Sequence, residues 1–196
     1  MISAVLPAAG ASRRMGRPKL LLPYQDGTIA GSLVASLRAA GVERIVLVIA
    51  PGDEELRAWA REAGLVVAVN PEPERGMLSS IREGIAALGG AAQMALRAET
   101  LLVSPADLPA LRPETVAAVL RGVERAPLAV PVHRGRRGHP LAIAPRLIPE
   151  VEALDLAVGL RQLLDRHAAA VLEVEVDDPG AVEDVDTPED YRRLTR

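Results

Sequence analysis

The chain contains no cysteine and no phenylalanine, one tryptophan, two tyrosines, one lysine and one asparagine. Each shortage excludes something. Without cysteine there is no disulfide, no thiolate nucleophile and no Cys-ligated zinc or iron–sulfur site. Trp59, Tyr24 and Tyr191 are the only aromatic residues, so the core must be aliphatic. The stacking platforms that a single-strand nucleic-acid binder sets under its bases are missing. A formal net charge of −3 gives no global basic field to recruit nucleic acid or an anionic membrane surface. No uninterrupted apolar run reaches the length of a membrane span. The opening Met1-Ile2-Ser3-Ala4-Val5-Leu6-Pro7 is too short, and lacks the basic leader, to read as a signal peptide. The expectation is a soluble, cytoplasmic protein that binds neither nucleic acid nor membrane. Few amides, no cysteine and many prolines and arginines fit heat adaptation and a GC-rich genome equally well.

What is present points to one folded unit over residues 1–196. Hydrophobic content of 49% with 25% charged residues is globular, and the length suits one sizeable core. Short β-branched runs alternate with longer helical stretches. Strands are expected at Ile2–Leu6, Arg44–Ala50, Val66–Val69, Leu101–Val103, Leu128–Val132, Leu141–Ala144 and Val171–Val176. Helices are expected at Gly31–Ala40, Asp53–Ala63, Met77–Leu88, Pro113–Glu124, Pro149–Leu154, Leu160–His167 and Pro188–Leu194. The near-continuous apolar run Arg-Ile-Val-Leu-Val-Ile-Ala at 44–50 is that of a parallel strand buried on both faces. This alternation predicts an α/β fold, a Rossmann-like three-layer α/β/α arrangement with a mostly parallel central sheet. Right-handed crossovers gather the strand-to-helix loops along one sheet edge, where such folds bind ligands.

The lysine shortage is the most pointed one, because twenty-two arginines accompany the single Lys19. Lys19 closes the loop Pro7-Ala8-Ala9-Gly10-Ala11-Ser12-Arg13-Arg14-Met15-Gly16-Arg17-Pro18-Lys19. A compact ammonium differs from a guanidinium fork wherever a point charge must sit against a phosphate. The loop fails the Walker A spacing, since five residues separate its glycines and Leu20 follows the lysine. It lacks the third glycine of the dinucleotide fingerprint. What remains is a run of small residues whose N–H groups can approach an anion, flanked by Arg13, Arg14, Arg17 and Lys19; the alternative is a solvated basic turn.

Four further segments carry chemistry. Asn70-Pro71, followed by Gly76-Met77-Leu78-Ser79-Ser80, is a turn into a helix start, with Ser79 and Ser80 as candidate caps. Asp107, in Ser104-Pro105-Ala106-Asp107-Leu108-Pro109, lies just beyond a buried strand. It either caps a turn or ligates Mg²⁺, which favours one or two carboxylates plus phosphate oxygens and water. Gly135-Arg136-Arg137-Gly138-His139-Pro140 offers guanidinium forks suited to a phosphate, or else a solvated hairpin tip. His133, His139 and His167 have no spacing that would build a histidine metal site. Asp184-Val185-Asp186-Thr187-Pro188-Glu189 reads locally as a capped helix start with Pro at its first position.

Taken in order, these segments resemble the MobA-like nucleotidyltransferases, and within them most the molybdenum cofactor cytidylyltransferases. The stretch Ala8-Ala9-Gly10-x-Ser12-x-Arg14-Met15-Gly16-x-Pro18-Lys19-x-Leu21-Leu22 is similar to that family's signature. Pro7 departs from the small residue usual there, and an altered strand exit is expected. The resemblance implies a nucleotide-diphospho-sugar transferase-like fold and a Mg²⁺ cofactor. It implies CTP as donor, with GTP the alternative, and molybdopterin as the phosphorylated acceptor. Transfer to another small phosphate monoester is the broader alternative, and a non-catalytic nucleotide or cofactor binding protein the alternative of another class. A molybdoenzyme is the implied recipient of the product. By the same resemblance, Ala8, Ala9, Gly10, Ser12, Arg14, Lys19, Asn70, Gly76 and Ser80 contact the nucleotide. Lys19, Arg14 and Asp107 are the catalytic set, Asp107 and Asp186 hold the metal, and Arg137 and His139 face the acceptor. Asp184 is the weaker metal candidate, because strand alternation would leave its orientation open.

Overall fold

The computed structural model describes residues 1–10 and 18–195. Strand β1 (Ile2–Pro7) is followed by a small antiparallel hairpin, β2 (Pro23–Tyr24) and β3 (Gly27–Thr28), which leads into helix α1 (Ile29–Ala39). Thr28 caps α1, its hydroxyl accepting from Gly31 N–H, so the helix begins two residues before the expected Gly31. Strand β4 (Arg44–Ile49) and helix α2 (Glu54–Glu62) come next, with Asp53 as the expected cap of α2, accepting from Leu56 N–H. Strand β5 (Val66–Val69) leads through a short 3₁₀ turn to helix α3 (Met77–Ala87). Helix α4 (Ala91–Leu96) was not legible in the sequence, since six residues opening on Gly89-Gly90 show too little period.

Strand β6 (Thr100–Val103) and helix α5 (Pro113–Val123) follow, then strands β7 (Leu128–His133), β8 (Arg136–Arg137) and β9 (Leu141–Ile143). Helices α6 (Ile148–Glu152) and α7 (Arg161–Arg166), strand β10 (Val171–Glu175) and helix α8 (Pro188–Leu194) complete the chain. Along the sheet the order is β10-β7-β9-β6-β1-β4-β5, with β8 hydrogen-bonded to β7. Only β9 runs against the others on this path, pairing antiparallel with both β6 and β7. The chain moves from β1 outward to β4 and β5, then crosses to β6 on the other side of β1. That reversal opens a crevice at the carboxyl ends of the strands, where open α/β sheets take ligands.

Strand alternation divides the core between two faces. Ala4, Leu6, Ile45, Leu47 and Ile49 pack with residues of α1, α2 and α5 on one side. Val5, Val46 and Val48 pack with residues of α3, α4 and α6 on the other. Residues of β4 therefore serve both cores, as its unbroken apolar run requires. Gly84 lets α3 approach the sheet, because a Cβ there would overlap the Val5 side chain. At the exit of β1, Pro7 stays in register with Val48, and Ala8 N–H donates to the Val48 carbonyl at 2.7 Å. Among the described residues no helix is long and apolar enough to cross a membrane.

Candidate functional site at the sheet edge

The loops after β1, β5 and β6 converge on a cleft of about 410 Å³. Pro7, Ala8, Ala9 and Gly10 form its floor from β1, and Pro105, Ala106 and Asp107 contribute from β6. Pro73, Gly76, Met77 and Ser80 form the wall supplied by the β5–α3 connection, with Lys19, Leu20 and Asp186 also lining the space. Three sequence-distant side chains meet there. Lys19 Nζ donates to Asp107 Oδ2 at 2.6 Å and to Asp186 Oδ1 at 2.7 Å. Lys19 and Asp107 are largely covered, with side chains 16% and 14% exposed, whereas Asp186 is 47% exposed. The other oxygen of Asp107, Oδ1, is buried without a hydrogen-bond partner among the described residues. Burial alone would lower the Lys19 pKa, but the hydrogen bonds and charges of the two carboxylates outweigh it and raise it above its ordinary 10.5. The ammonium is therefore charged throughout the neutral range. Its contribution to stability is fully present below about 10.5 and is lost only as pH rises through the raised folded value.

Several local devices hold the two carboxylates opposite each other. The Asp107 backbone carbonyl accepts from Val185 N–H at 3.1 Å, which ties the turn after β6 to the C-terminal segment. Buried Asp178 accepts from Thr115 Oγ1 at 2.6 Å and from the N–H groups of Arg112 and Gly180, both at 3.0 Å. Gly180 lies so close to the Ala110 carbonyl, and Gly138 to that of Ala181, that a Cβ on either would overlap backbone atoms. Gly180→Ala is expected to destabilise the fold by about 1–3 kcal/mol in urea unfolding, because neither backbone can shift without displacing the other. At α8, Thr187 forms a capping box with Asp190. The helix-start reading of that segment thus holds for Thr187, while the Asp186 carboxylate turns to Lys19 instead. Residues 183–186 have no regular secondary structure, so the expectation of strand alternation around Asp184 does not apply.

Not every expected site residue lines the cleft. Asn70 is buried behind it, its amide donating to Ser79 Oγ at 2.8 Å and Ser80 Oγ at 2.9 Å and its carbonyl accepting from Glu72 N–H at 3.0 Å. All three bonds are internal, so Asn70 shapes the 70–80 turn and aims Ser80, rather than facing the cleft itself. Neither serine caps α3. Gly76 stands at the N-cap with φ of 92°, a backbone state that favours glycine, and no side chain caps the helix. First-turn residues Met77 and Ser80 instead face the cleft. Arg137 is likewise outside the lining, its Nε donating to Glu173 Oε1 at 2.6 Å on the exposed β7–β8 hairpin. That side chain is half exposed on the hairpin, where β10 brings the Glu173 carboxylate within its reach.

His139 also lies outside the lining, and its Nδ1 is buried without a hydrogen-bond partner among the described residues. Burial lowers its pKa below 6.5, against the opposing charges of Asp107 and Asp184 and a hydrogen bond to the Val103 backbone. The unfolded chain then binds the proton more readily, so stability is expected to fall as pH drops through 6.5 and below. His139→Asn should flatten that slope in thermal melts across the range. His133 and His167 bond elsewhere, to the Val176 carbonyl and to Glu150, so the three histidines do not converge. Ser12 and Arg14 lie outside the described residues. Sequence reasoning passed over Leu20, Pro73 and Met77 as lining residues. Met77 carried a signal, an apolar residue off the buried stripe of Leu78, Ile81 and Ile85 and 54% exposed.

Comparison with known proteins fits this geometry. The family model for the MobA-like NTP transferase domain matches residues 4–171. The chain is 26% identical over 193 residues to a molybdenum cofactor cytidylyltransferase of Escherichia coli K12, covering 97% of this chain and 93% of that protein. It is 32% identical over 203 residues to the purine catabolism protein PucB of Bacillus subtilis 168, covering 98% and 95%. The crystal structure of Rv0371c from Mycobacterium tuberculosis H37Rv superposes with a TM-score of 0.80 at 30% identity, covering 99% of this chain and 96% of that one. A structure of Rv0371c in complex with manganese gives a TM-score of 0.74 at 28% identity, covering 99% and 97%.

Proposed function

We propose, for a chain that belongs to the MobA-like NTP transferase family, that its cleft moves CMP from CTP onto the phosphate of molybdopterin with release of pyrophosphate. The nucleotidyltransferase class follows from the family, and the fold is that of the nucleotide-diphospho-sugar transferases. The choice of CTP and molybdopterin is our reading, supported by the molybdenum cofactor cytidylyltransferase relative and by the motif details around Lys19 and Gly76. The observation that carries it is the meeting of Lys19, Asp107 and Asp186 at the carboxyl edge of β1 and β6.

A divalent cation fits the donor set. Asp107 and Asp186 present hard carboxylate oxygens to one cationic group, and Asp107 Oδ1 is buried and free of hydrogen bonds among the described residues. No group of three or more His, Asp or Glu side chains converges among those residues. Two carboxylates completed by substrate phosphate oxygens and water are what Mg²⁺ accepts. Bound there, Mg²⁺ would neutralise phosphate charge and make the α-phosphorus more electrophilic. Manganese in the Rv0371c structure supports a divalent site in this fold.

The chain's own residues do the positioning. Lys19 donates hydrogen bonds to phosphate oxygens, and the small residues Ala8, Ala9 and Gly10 let the triphosphate approach the backbone. The α3 N-terminus, capped only by Gly76, leaves backbone donors for the nucleotide. A phosphate oxygen of the acceptor forms the new bond to the α-phosphorus as the bond to pyrophosphate breaks, and pyrophosphate keeps the electron pair. The nucleophile is already ionised at neutral pH, so no general base is required. Positioning and charge neutralisation supply the rate.

Thermal unfolding with each nucleoside triphosphate and Mg²⁺ tests the donor assignment. CTP is expected to stabilise most, by about 2.7 kcal/mol at one hundred times its dissociation constant. A larger shift with GTP would reassign the protein to guanylyl transfer. No shift with any of the four would remove the nucleotide site altogether.

A further inference from the structure

Lys19 is held between the two carboxylates that the proposed site offers to a divalent cation. Its ammonium takes one oxygen from each, at 2.6 and 2.7 Å, while Asp107 Oδ1 stays buried and unpaired among the described residues. The same lysine is the cation among the described residues lining the cleft, and so the group expected on the substrate phosphates. With two of its three N–H donors on the carboxylates, the ammonium keeps one for a phosphate, and a cation that takes those oxygens must displace the other two. A second positive charge arriving beside a largely covered ammonium is repelled at short range.

We propose that Lys19 is a built-in place-holder for the divalent cation, competing with it for Asp107 and Asp186 until a triphosphate draws the ammonium away. The inference rests on the nucleotidyl-transfer reading of this cleft. It goes beyond that reading by making metal affinity conditional on nucleotide. With the cleft empty of nucleotide, the carboxylates are neutralised internally and hold divalent cations weakly. When phosphates enter, they offer Lys19 new acceptors, and the freed carboxylates bind the metal that accompanies the nucleotide. Nucleotide and metal then bind cooperatively, and each raises the affinity of the other by the same factor. The device also protects the structure, since two neighbouring carboxylates without a counter-cation would repel each other.

The test measures Mn²⁺ binding to the full chain by the electron paramagnetic resonance signal of free Mn²⁺, in the wild type and in Lys19→Met. Without nucleotide, Lys19→Met is expected to bind Mn²⁺ about tenfold or more tightly than the wild type. Asp186→Asn in the Lys19→Met background should cancel that gain. A non-hydrolysable CTP analogue should tighten Mn²⁺ binding by the wild type and narrow the difference. If Lys19→Met binds Mn²⁺ no more tightly than the wild type, the competition is overturned, even where CTP still stabilises the protein. If the gain appears but no nucleoside triphosphate changes wild-type Mn²⁺ affinity, release of Lys19 by nucleotide is overturned, while stabilisation by CTP in thermal unfolding still decides the nucleotidyl-transfer reading.

The lone lysine supplies a second measurement that needs no variant. With ¹³C-lysine labelling, the wild type gives one ε-carbon resonance, that of Lys19. Titration with Mg²⁺ should move it along a saturating curve as the ammonium leaves the carboxylates. A resonance that stays fixed while Mn²⁺ counting shows the site filled would overturn the proposal.

Discussion

Asp107→Asn is expected to reduce nucleotidyl transfer by about a hundred- to a thousandfold, a size typical of removing one charge-stabilising group from a preorganised site. The amide keeps the shape of the side chain but removes the negative charge. The position tolerates the change structurally, because Asp107 lies in an irregular turn and its link to Val185 N–H uses the backbone carbonyl. In the folded protein the lost contact is one side of the Lys19 ion pair, and Asp186 still holds the ammonium. Circular dichroism and urea unfolding should therefore stay near wild type while single-turnover rates collapse at saturating CTP and Mg²⁺. Near-normal turnover in Asp107→Asn would remove this residue from the metal site.

Lys19→Ala is expected to weaken triphosphate binding by roughly ten- to a hundredfold, the range for losing a charge-assisted hydrogen bond or two. It should slow transfer as well, because charge on the leaving pyrophosphate grows towards the transition state. Lys19→Arg should recover little, since a planar fork does not replace a compact ammonium between two carboxylates 2.6 and 2.7 Å away. Isothermal titration with a non-hydrolysable CTP analogue, beside steady-state rates, separates the two effects. The same residue thus carries opposite signs for two ligands: its loss weakens the nucleotide and strengthens the bare cation. A purely structural lysine would not produce that crossover.

The sequence carried the alternation of strands and helices and most of the loops that build the cleft. The apolar run of β4 announced burial on both faces, and the strand and helix at Val66–Val69 and Pro188–Leu194 appear at the expected residues. Strand order did not follow from the pattern, because period-two alternation says which face is buried and nothing about the neighbour. The reversal of β9 between β6 and β7 is a property of long-range pairing alone. The same limit applies to side-chain partners. Ser79 and Ser80 have the local pattern of helix caps, yet the Asn70 amide reaches both from the end of the preceding strand. Arg137 looks like a free guanidinium until β10 brings Glu173 beside it, 36 residues further on. Lys19, Asp107 and Asp186 were each legible as motif residues. The resemblance implied that Asp107 and Asp186 share one metal, but not that Lys19 would pair with both, since the chain separates it from them by 88 and 167 positions.

The most direct measurement of the central claim is pyrophosphate release from each of the four nucleoside triphosphates with Mg²⁺, with and without molybdopterin, and with the product identified by mass. The expected result is release from CTP only when molybdopterin is present, one pyrophosphate for each cytidylyl adduct, and release slowed about a hundredfold or more in Asp107→Asn. Consumption of no triphosphate, together with no stabilisation by any of them, would contradict the assignment of this cleft to nucleotidyl transfer.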